Sequence, residues 1–158
     1  MKTIFFLPFV FFIVLTACTK SDELDRCAAV TLTAPDAEVA TLKAYIDSNH
    51  IDATEDSRGF FYHIVSTGDS SKHPSSCSNV TVSYTGRLLN GTQFDAQNGA
   101  KLLISNLIPG WKEGIPMIGT GGTILLYIPP SLGYGATVTG SIPANSNLFF
   151  AIELIAVE

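Results

Sequence analysis

The sequence predicts an α+β domain in which an antiparallel sheet wraps around one short helix. Apolar residues recur with period two from Gly59 onward, most regularly in residues 80–84, and this period is typical of half-buried strands. Asn90-Gly91 is a strong signal for a tight hairpin turn. Pro109 is suited to the first turn of a helix that lies between two strand-like runs. Several strands with one short helix among them favour the α+β class.

The first predicted element is a helix that precedes this sheet. Apolar residues recur at helical spacing after a capping residue, which is Thr33 or Asp36, and Asn49 is suited to end the helix. We interpret residues 34–58 as this N-terminal helix and its connection to the sheet, and we expect it to support the packing of the domain. The apolar positions of the helix are Val39, Leu42 and Ile46.

The strands are predicted from short apolar or alternating runs that are bounded by turn-forming residues. Trp111, Ile115 and Ile118 fall on one face of the short helix, which Pro116 should shorten or kink. A long loop rich in Gly, Pro and Ser precedes the last strand. One predicted strand covers residues 60–65. The next includes residues 80–84 and ends near residue 88, and a further strand begins near residue 92. The remaining strands cover residues 101–104, 123–128 and 148–157.

The N-terminus has the pattern of a secretory signal. Lys2 precedes an apolar run at residues 4–15, which is too short to span a bilayer comfortably. The run ends in Leu-Thr-Ala-Cys, which resembles the bacterial lipobox, a signal whose cysteine becomes diacylated. We therefore expect a signal peptide at residues 1–17, lipidation of Cys18, and a tether at residues 18–33. The alternative is an ordinary signal peptide in which Cys18 has no such role.

Two further cysteines form an even pair. If Cys18 carries lipid, Cys27 and Cys77 remain in an oxidising compartment, where disulfides persist. We expect a disulfide between them, which the chain-entropy model values at roughly 4 kcal/mol. The alternative is two unpaired thiols.

Composition and motifs exclude several classes of function. A net charge of −5 without a basic patch argues against nucleic-acid binding. His50, His63 and His73 have no metal-ligand spacing with one another or with cysteine. The sequence contains neither a phosphate-binding loop in strand–helix order nor a nucleophile elbow. We expect no metal and no cofactor.

Several short segments, taken together and in order, resemble the FKBP family of prolyl isomerases. The resemblance covers residues 59–158 and implies an antiparallel β half-barrel wrapped around a short α-helix, with residues 34–58 as an N-terminal supporting helix. The segments are Val82-Ser83-Tyr84-Thr85-Gly86, Asn90-Gly91-Thr92-Gln93-Phe94-Asp95, Leu107-Ile108-Pro109-Gly110-Trp111, Gly133-Tyr134-Gly135, Ile142-Pro143 and Leu148-Phe149-Phe150.

The resemblance implies a pocket between the short helix and the sheet. Trp111 would form its floor, and Asp95 would lie at its edge, where it either orders a tyrosine by hydrogen bonding or faces the substrate carbonyl. The walls would be Tyr84, Phe94 and Phe150, the rim would be Leu107 and Ile108, and the covering loop would supply Tyr134 and Ile142. Each aromatic residue taken alone would be read as ordinary core.

The sequence departs from the family pattern near this pocket. Ala100 and Leu102 occupy the neighbourhood where the family often has an extra aromatic residue, and the family's loop histidine has no match around Val138. We expect these departures to affect the affinity for the macrolide drugs that the family binds and the preference among peptide substrates.

The implied activity is peptidyl-prolyl cis-trans isomerisation of extracytoplasmic polypeptides, by an apolar pocket without covalent or metal catalysis. The expected partners are proline-containing polypeptides, tacrolimus- or rapamycin-like macrolides and, through the lipid anchor, a membrane, with the protein a monomer on the periplasmic side or at the cell surface. The alternative is a non-catalytic peptide-binding or chaperone lipoprotein that uses the same pocket.

Overall fold

The computed structural model describes Cys27 and residues 30–158. Two α-helices, α1 and α2, span Asp36–Ser48 and Pro109–Gly114. The six strands β1 to β6 span Thr54–Glu55, Phe61–Ser66, Asn79–Leu88, Gln93–Leu103, Thr123–Ile128 and Leu148–Val157, and short 3₁₀ turns lie at Ile104–Asn106, Ile115–Met117 and Pro130–Leu132. The predicted signal peptide and the lipidation site Cys18 lie outside the described residues.

The strands form one antiparallel sheet in the order β1-β2-β5-β6-β3-β4. Alternate residues of β6 point inward and are almost fully buried, as the period of two in a strand requires. They form the main core together with the inward residues of the neighbouring strands and with α2. The predicted β half-barrel around a short helix is confirmed, and the bounds predicted for β5 and β6 are correct.

Helix α2 lies unusually close to the sheet because glycines face it. A Cβ atom at Gly110 would lie 2.7 Å from Ile128, and one at Gly114 would lie 2.6 Å from Leu126. Pro109 occupies the first turn, where its missing N–H costs nothing. The α-helix ends at Gly114 and continues as a 3₁₀ turn that contains Pro116, which agrees with the predicted shortening.

Helix α1 packs on the opposite face of the sheet. Leu42 and Ile46 are buried against Phe61 and Tyr127 in a second apolar cluster. The Tyr45 hydroxyl donates a hydrogen bond to a carbonyl of the β3–β4 hairpin over 3.0 Å. Helix α1 therefore covers the outer face of the sheet, which is how it can support the packing of the domain.

The strand predicted at residues 101–104 is not a separate element. Strand β4 runs without interruption from Gln93 to Leu103. Its register against β3 shifts between the pairs Val82↔Ala100 and Tyr84↔Gln97. The chain absorbs the one extra residue of β4 in a bulge that includes Gly99, whose φ is +70°, a conformation that glycine adopts without steric cost. Because the residues of this bulge are polar, the sequence pattern indicated an end of the strand where the structure has none.

The start of α1 also differs from the prediction. The N-cap residue is Pro35 and no side chain caps the helix, so neither Thr33 nor Asp36 has the predicted capping role. Proline fixes an extended backbone just before the helix, and this alone sets the start. The short strand β1, which pairs Thr54 with Tyr62, was not predicted, because two residues carry no period.

Part of the segment predicted as a tether contacts the domain. Cys27 lies beside Cys77, with their Cα atoms 5.2 Å apart. The Val30 N–H donates a hydrogen bond to Glu113 over 2.8 Å. Contact with the domain therefore begins by Cys27, well before residue 33. In the part of the chain that the structure describes, no helix is long and apolar enough to cross a bilayer.

Candidate active site

A small pocket of about 200 Å³ lies between α2 and the inner face of the sheet. Helix α2 supplies its floor, strands β3, β4 and β6 supply its sides, and the loop after β5 supplies one edge. Its lining residues are Tyr84, Asp95, Leu102, Asn106, Leu107, Ile108, Trp111, Tyr134 and Phe150.

Four aromatic rings, hereafter the aromatic cluster, meet at this pocket: Tyr84, Phe94, Trp111 and Phe150. The Trp111 ring stands nearly perpendicular to Tyr84 and to Phe150, with centroids 5.0 Å apart in both pairs. The Phe94 ring lies edge-on to Phe150 at 5.5 Å. Such edge-to-face pairs are each worth about 0.5–1.5 kcal/mol beyond the area they bury. The cluster is therefore a rigid apolar surface.

The strand pairing places these rings together. Gly86 of β3 pairs with Phe150 of β6 and with Asp95 of β4. A Cβ atom at Gly86 would lie 2.6 Å from the Phe94 ring and 2.7 Å from the Phe150 ring. Glycine at this position therefore lets two rings from neighbouring strands close over the backbone between them.

One hydrogen bond organises the polar edge of the pocket. The Tyr84 hydroxyl donates to Oδ2 of Asp95 over 2.6 Å. Burial and this bond raise the pKa of the Tyr84 phenol well above its usual range. Burial and the nearby charge of Asp95 raise the pKa of the Tyr134 phenol. Both phenols therefore stay protonated at neutral pH and can act only as neutral hydrogen-bond groups. Of the two arrangements considered for Asp95, the structure contains the bond to Tyr84.

Two N–H groups at the pocket have no acceptor in the described part of the chain. One is the Ile108 amide, at the N-terminal end of α2, where helix amides are left unpaired by geometry. The other is the indole Nε1 of Trp111, a residue that is only 4% exposed. A bound carbonyl oxygen could accept from the Ile108 amide at the pocket rim.

Seven of the nine predicted pocket residues line the hollow, and the other two, Phe94 and Ile142, are not among its lining residues. Phe94, predicted as a wall, packs against Phe150 and supports it. Ile142, predicted to cover the site, is 5% exposed and belongs to the main core. Its backbone N–H and C=O both pair with Thr139, so it fixes the shape of the covering loop.

Two lining residues were not predicted as site residues. Leu102 points inward from β4, and its position was noted only as a place where an aromatic residue is missing. Asn106 is exposed at the rim, directly before Leu107. Only its place next to the rim residues could have indicated it.

A larger depression, of about 540 Å³, lies mainly on the outer face of the sheet, around Ser83 and Glu153. It is broad and open, and it contains none of the aromatic rings other than part of Tyr84. Among the described residues, no group of three His, Cys, Asp or Glu side chains could hold a metal ion. The smaller aromatic pocket is therefore the candidate active site.

A half-barrel that holds an aromatic pocket against a short helix defines the FKBP-like class of domain. Comparison with known proteins agrees, because the family model described as FKBP-type peptidyl-prolyl cis-trans isomerase matches residues 70–155. The match covers more than half of the chain, and the chain belongs to this family.

Three bacterial proteins illustrate the similarity. The FKBP-type peptidyl-prolyl cis-trans isomerase FkpA of Buchnera aphidicola is 41% identical over 106 residues, which are 65% of this chain and 42% of that protein. The outer membrane protein MIP of Legionella longbeachae is 39% identical over 63% of this chain and 45% of that protein. The crystal structure of FkpA from Escherichia coli superposes with a TM-score of 0.69 at 35% identity, covering 77% of this chain and 60% of that chain. The chain thus spans less than half of the length of these curated relatives.

Proposed function

We propose that this protein is a peptidyl-prolyl cis-trans isomerase that binds the proline ring of its substrate in the aromatic pocket. The observation that supports this most is the perpendicular packing of Tyr84 and Phe150 on Trp111, beside a hollow of about 200 Å³. The hollow has room for a small ring, and flat aromatic faces pack well against one.

The reaction needs neither a nucleophile nor a metal. Rotation about a prolyl bond is slow because amide resonance must be broken, with a barrier of roughly 18–20 kcal/mol. The twisted amide has lost that resonance, and its carbonyl carries less charge than the planar form. An apolar pocket therefore suits the twisted state better than water does, which is the differential binding that catalysis requires.

Each pocket residue has a role in this proposal. Trp111 and Phe150 hold the pyrrolidine ring, with Phe94 supporting Phe150 from behind. The unpaired Ile108 amide and the Tyr134 hydroxyl hold neighbouring carbonyls of the peptide. Leu107 supplies a further contact at the rim, and Ile142 acts indirectly by shaping the loop that carries Tyr134.

Asp95 acts by orienting Tyr84. Its carboxylate accepts a hydrogen bond from the Tyr84 hydroxyl over 2.6 Å, and this fixes the ring that stands on Trp111.

The direct test is the isomerisation rate of a short Leu-Pro or Phe-Pro peptide with the purified protein and its variants. Trp111→Ala, Phe150→Ala and Asp95→Ala should each lower kcat/KM at least about tenfold, the factor that corresponds to the loss of about 1.4 kcal/mol in the transition state. Phe149→Ala is the matched control, since Phe149 is the neighbouring phenylalanine and belongs to the cluster on the outer face of the sheet. Peptide binding without acceleration would instead favour a non-catalytic chaperone.

The proposal includes anchoring of the protein outside the cytoplasm by lipid on Cys18. The lipobox-like sequence before Cys18 supports this, and one relative is named an outer membrane protein. Two acyl chains suffice for a stable anchor where one is marginal. Labelling of cells with radioactive palmitate should mark the protein, and Cys18→Ala should abolish the label and release the protein from membranes. A labelled Cys18→Ala variant would contradict the anchor.

The Cys27–Cys77 disulfide, the monomeric state and macrolide binding also belong to the proposal. The Cα separation of 5.2 Å lies within the usual range for disulfides. Mass measurement without reductant should find no free thiol at these two positions. Sedimentation should give the mass of one chain, and a tacrolimus-like macrolide should compete with the peptide for the pocket.

A further inference from the structure

A chain of polar contacts joins the N-terminal segment to the helix that carries the pocket floor. Glu113 lies on α2, two residues after Trp111. One of its carboxylate oxygens accepts the Val30 N–H over 2.8 Å, and the other contacts Nη1 of Arg58. The Glu113 side chain is only 17% exposed, so water screens this pair less than it would a surface pair.

Arg58 is itself held from two sides. Its Nε and Nη2 atoms contact the Asp56 carboxylate over 2.8 and 3.1 Å. Its guanidinium lies 5.8 Å from the centroid of the Phe60 ring, and Phe60 is fully buried in the main core. A cation over an aromatic face is attracted to it. The partner that Arg58 offers to Glu113 therefore has a fixed position in the domain.

Helix α2 needs such a fixed contact. It has six residues and no side-chain cap at its start, and a helix this short has few hydrogen bonds of its own. The residues that it turns toward β5 are Gly110 and Gly114, which have no side chains to interlock with the sheet. These glycines present no side-chain ridges to the sheet, so contacts on other parts of α2, the aromatic packing of Trp111 among them, contribute to fixing its position.

We propose that Glu113 is a positioning residue for the pocket, because it ties α2 to Arg58 and Val30 and thereby fixes the orientation of Trp111. This inference rests on the proposed isomerase function and deepens it. Glu113 does not line the pocket, so it acts only through the helix.

The test uses the complete protein and the fluorescence of Trp111, which is the single tryptophan of the chain. Glu113→Ala should shift the Trp111 emission to the red and make it more easily quenched by acrylamide. It should also lower kcat/KM by about tenfold to a hundredfold, because a misplacement of about 1 Å from outside the chemistry can cost about a hundredfold. Arg58→Ala should change the emission similarly, and the double variant should add little.

Glu113→Gln gives a second, milder test. The amide oxygen can still accept the Val30 N–H, so we expect the emission and kcat/KM to lie between those of the parent and of Glu113→Ala. If Glu113→Ala does not fold, Glu113→Gln alone decides, through its emission and quenching relative to the parent.

Leu42→Ala is the control for stability. Leu42 is fully buried on the outer face, away from α2, and its truncation should cost about 2–5 kcal/mol without changing the Trp111 emission. The proposal is overturned if the Glu113 variants keep the parent emission and quenching, or if Leu42→Ala changes them equally. An inactive parent would contradict the proposed function, and the Trp111 emission would still decide the role of Glu113.

Discussion

Gly110→Ala is the substitution whose effect the structure specifies most closely. The new Cβ atom would lie 2.7 Å from Cδ1 and 2.8 Å from both Cγ1 and Cγ2 of Ile128. Ordinary contact begins at 3.4 Å, so the shortfall against Cδ1 is 3.4 less 2.7, or 0.7 Å. Ile128 is fully buried and its branched side chain is stiff. The helix must therefore move, and Trp111 moves with it.

The expected cost follows from two opposing effects. Overpacking of this kind costs about 1–3 kcal/mol, and alanine in place of a helical glycine returns up to about 1 kcal/mol. We expect a net destabilisation of about 1–2 kcal/mol, which lowers Tm by roughly 5–10 °C for a domain of this size. The displaced floor should also lower kcat/KM and shift the Trp111 emission.

A double-mutant cycle with Ile128→Ala isolates the clash. Alanine at residue 128 lacks all three atoms that the new Cβ would meet. Ile128→Ala alone should cost about 2–5 kcal/mol, and the double variant should be more stable than the sum of the single effects by at least about 1 kcal/mol. Urea unfolding of the four proteins measures this. Additive effects, or a Gly110→Ala protein as stable and active as the parent, would refute the account of how α2 meets the sheet.

Three further predictions concern stability. Burial raises the pKa of Asp56, but the hydrogen bonds and charge of Arg58 outweigh it and hold that pKa below its ordinary value near 3.8. The stability that Asp56 contributes is thus present at neutral pH and lost as the pH falls through the lowered pKa. The urea midpoints of Asp56→Asn and the parent should therefore differ more at pH 7 than at pH 3. An equal difference at the two pH values would contradict this. Replacement of both Cys27 and Cys77 by serine removes the proposed disulfide between two residues that are 50 positions apart in the sequence. It should lower the free energy of unfolding by about 4 kcal/mol in the chain-entropy model. An unchanged Tm would argue against the disulfide. Tyr45→Phe removes one hydrogen bond to a hairpin carbonyl and should lower the free energy of unfolding by about 1 kcal/mol. It should leave kcat/KM unchanged, and a loss of activity would show that the hairpin affects the pocket.

The sheet was largely predictable because its signals are local. The nearly continuous apolar run at residues 148–157 predicted the whole of β6, and the Asn90-Gly91 turn predicted the hairpin that joins β3 to β4. Strand β4 was divided in the prediction because its polar bulge at Gly99 interrupts the alternation without ending the strand. Two-residue strands such as β1 have no pattern from which to be predicted.

The pocket was predictable only through the family resemblance. No local pattern distinguishes Phe150, which lines the pocket, from Phe94, which is not among the lining residues, since both are apolar strand residues whose rings approach the same glycine. The roles of Ile142 and Asn106 depend on how the loops bend, and loop geometry is set by tertiary contacts.

The contacts of the N-terminal segment were not predictable at all. Val30, Arg58 and Glu113 are far apart in the sequence, and each would be read as an ordinary surface or linker residue. Their convergence requires the complete fold, because it depends on where the β1–β2 turn meets α2.

The central claim is that the aromatic pocket binds an X–Pro bond and lowers its barrier to rotation. The most direct measurement is exchange NMR of a proline peptide with catalytic amounts of protein, together with the indole N–H signal of Trp111 under titration. We expect accelerated exchange between the cis and trans peptide signals and a shift of the indole signal. Both effects should be absent for a peptide in which alanine replaces proline, and both should be strongly reduced in the Phe150→Ala protein. Unaccelerated exchange, or an indole signal that stays in place while residues on the outer face respond, would contradict the account.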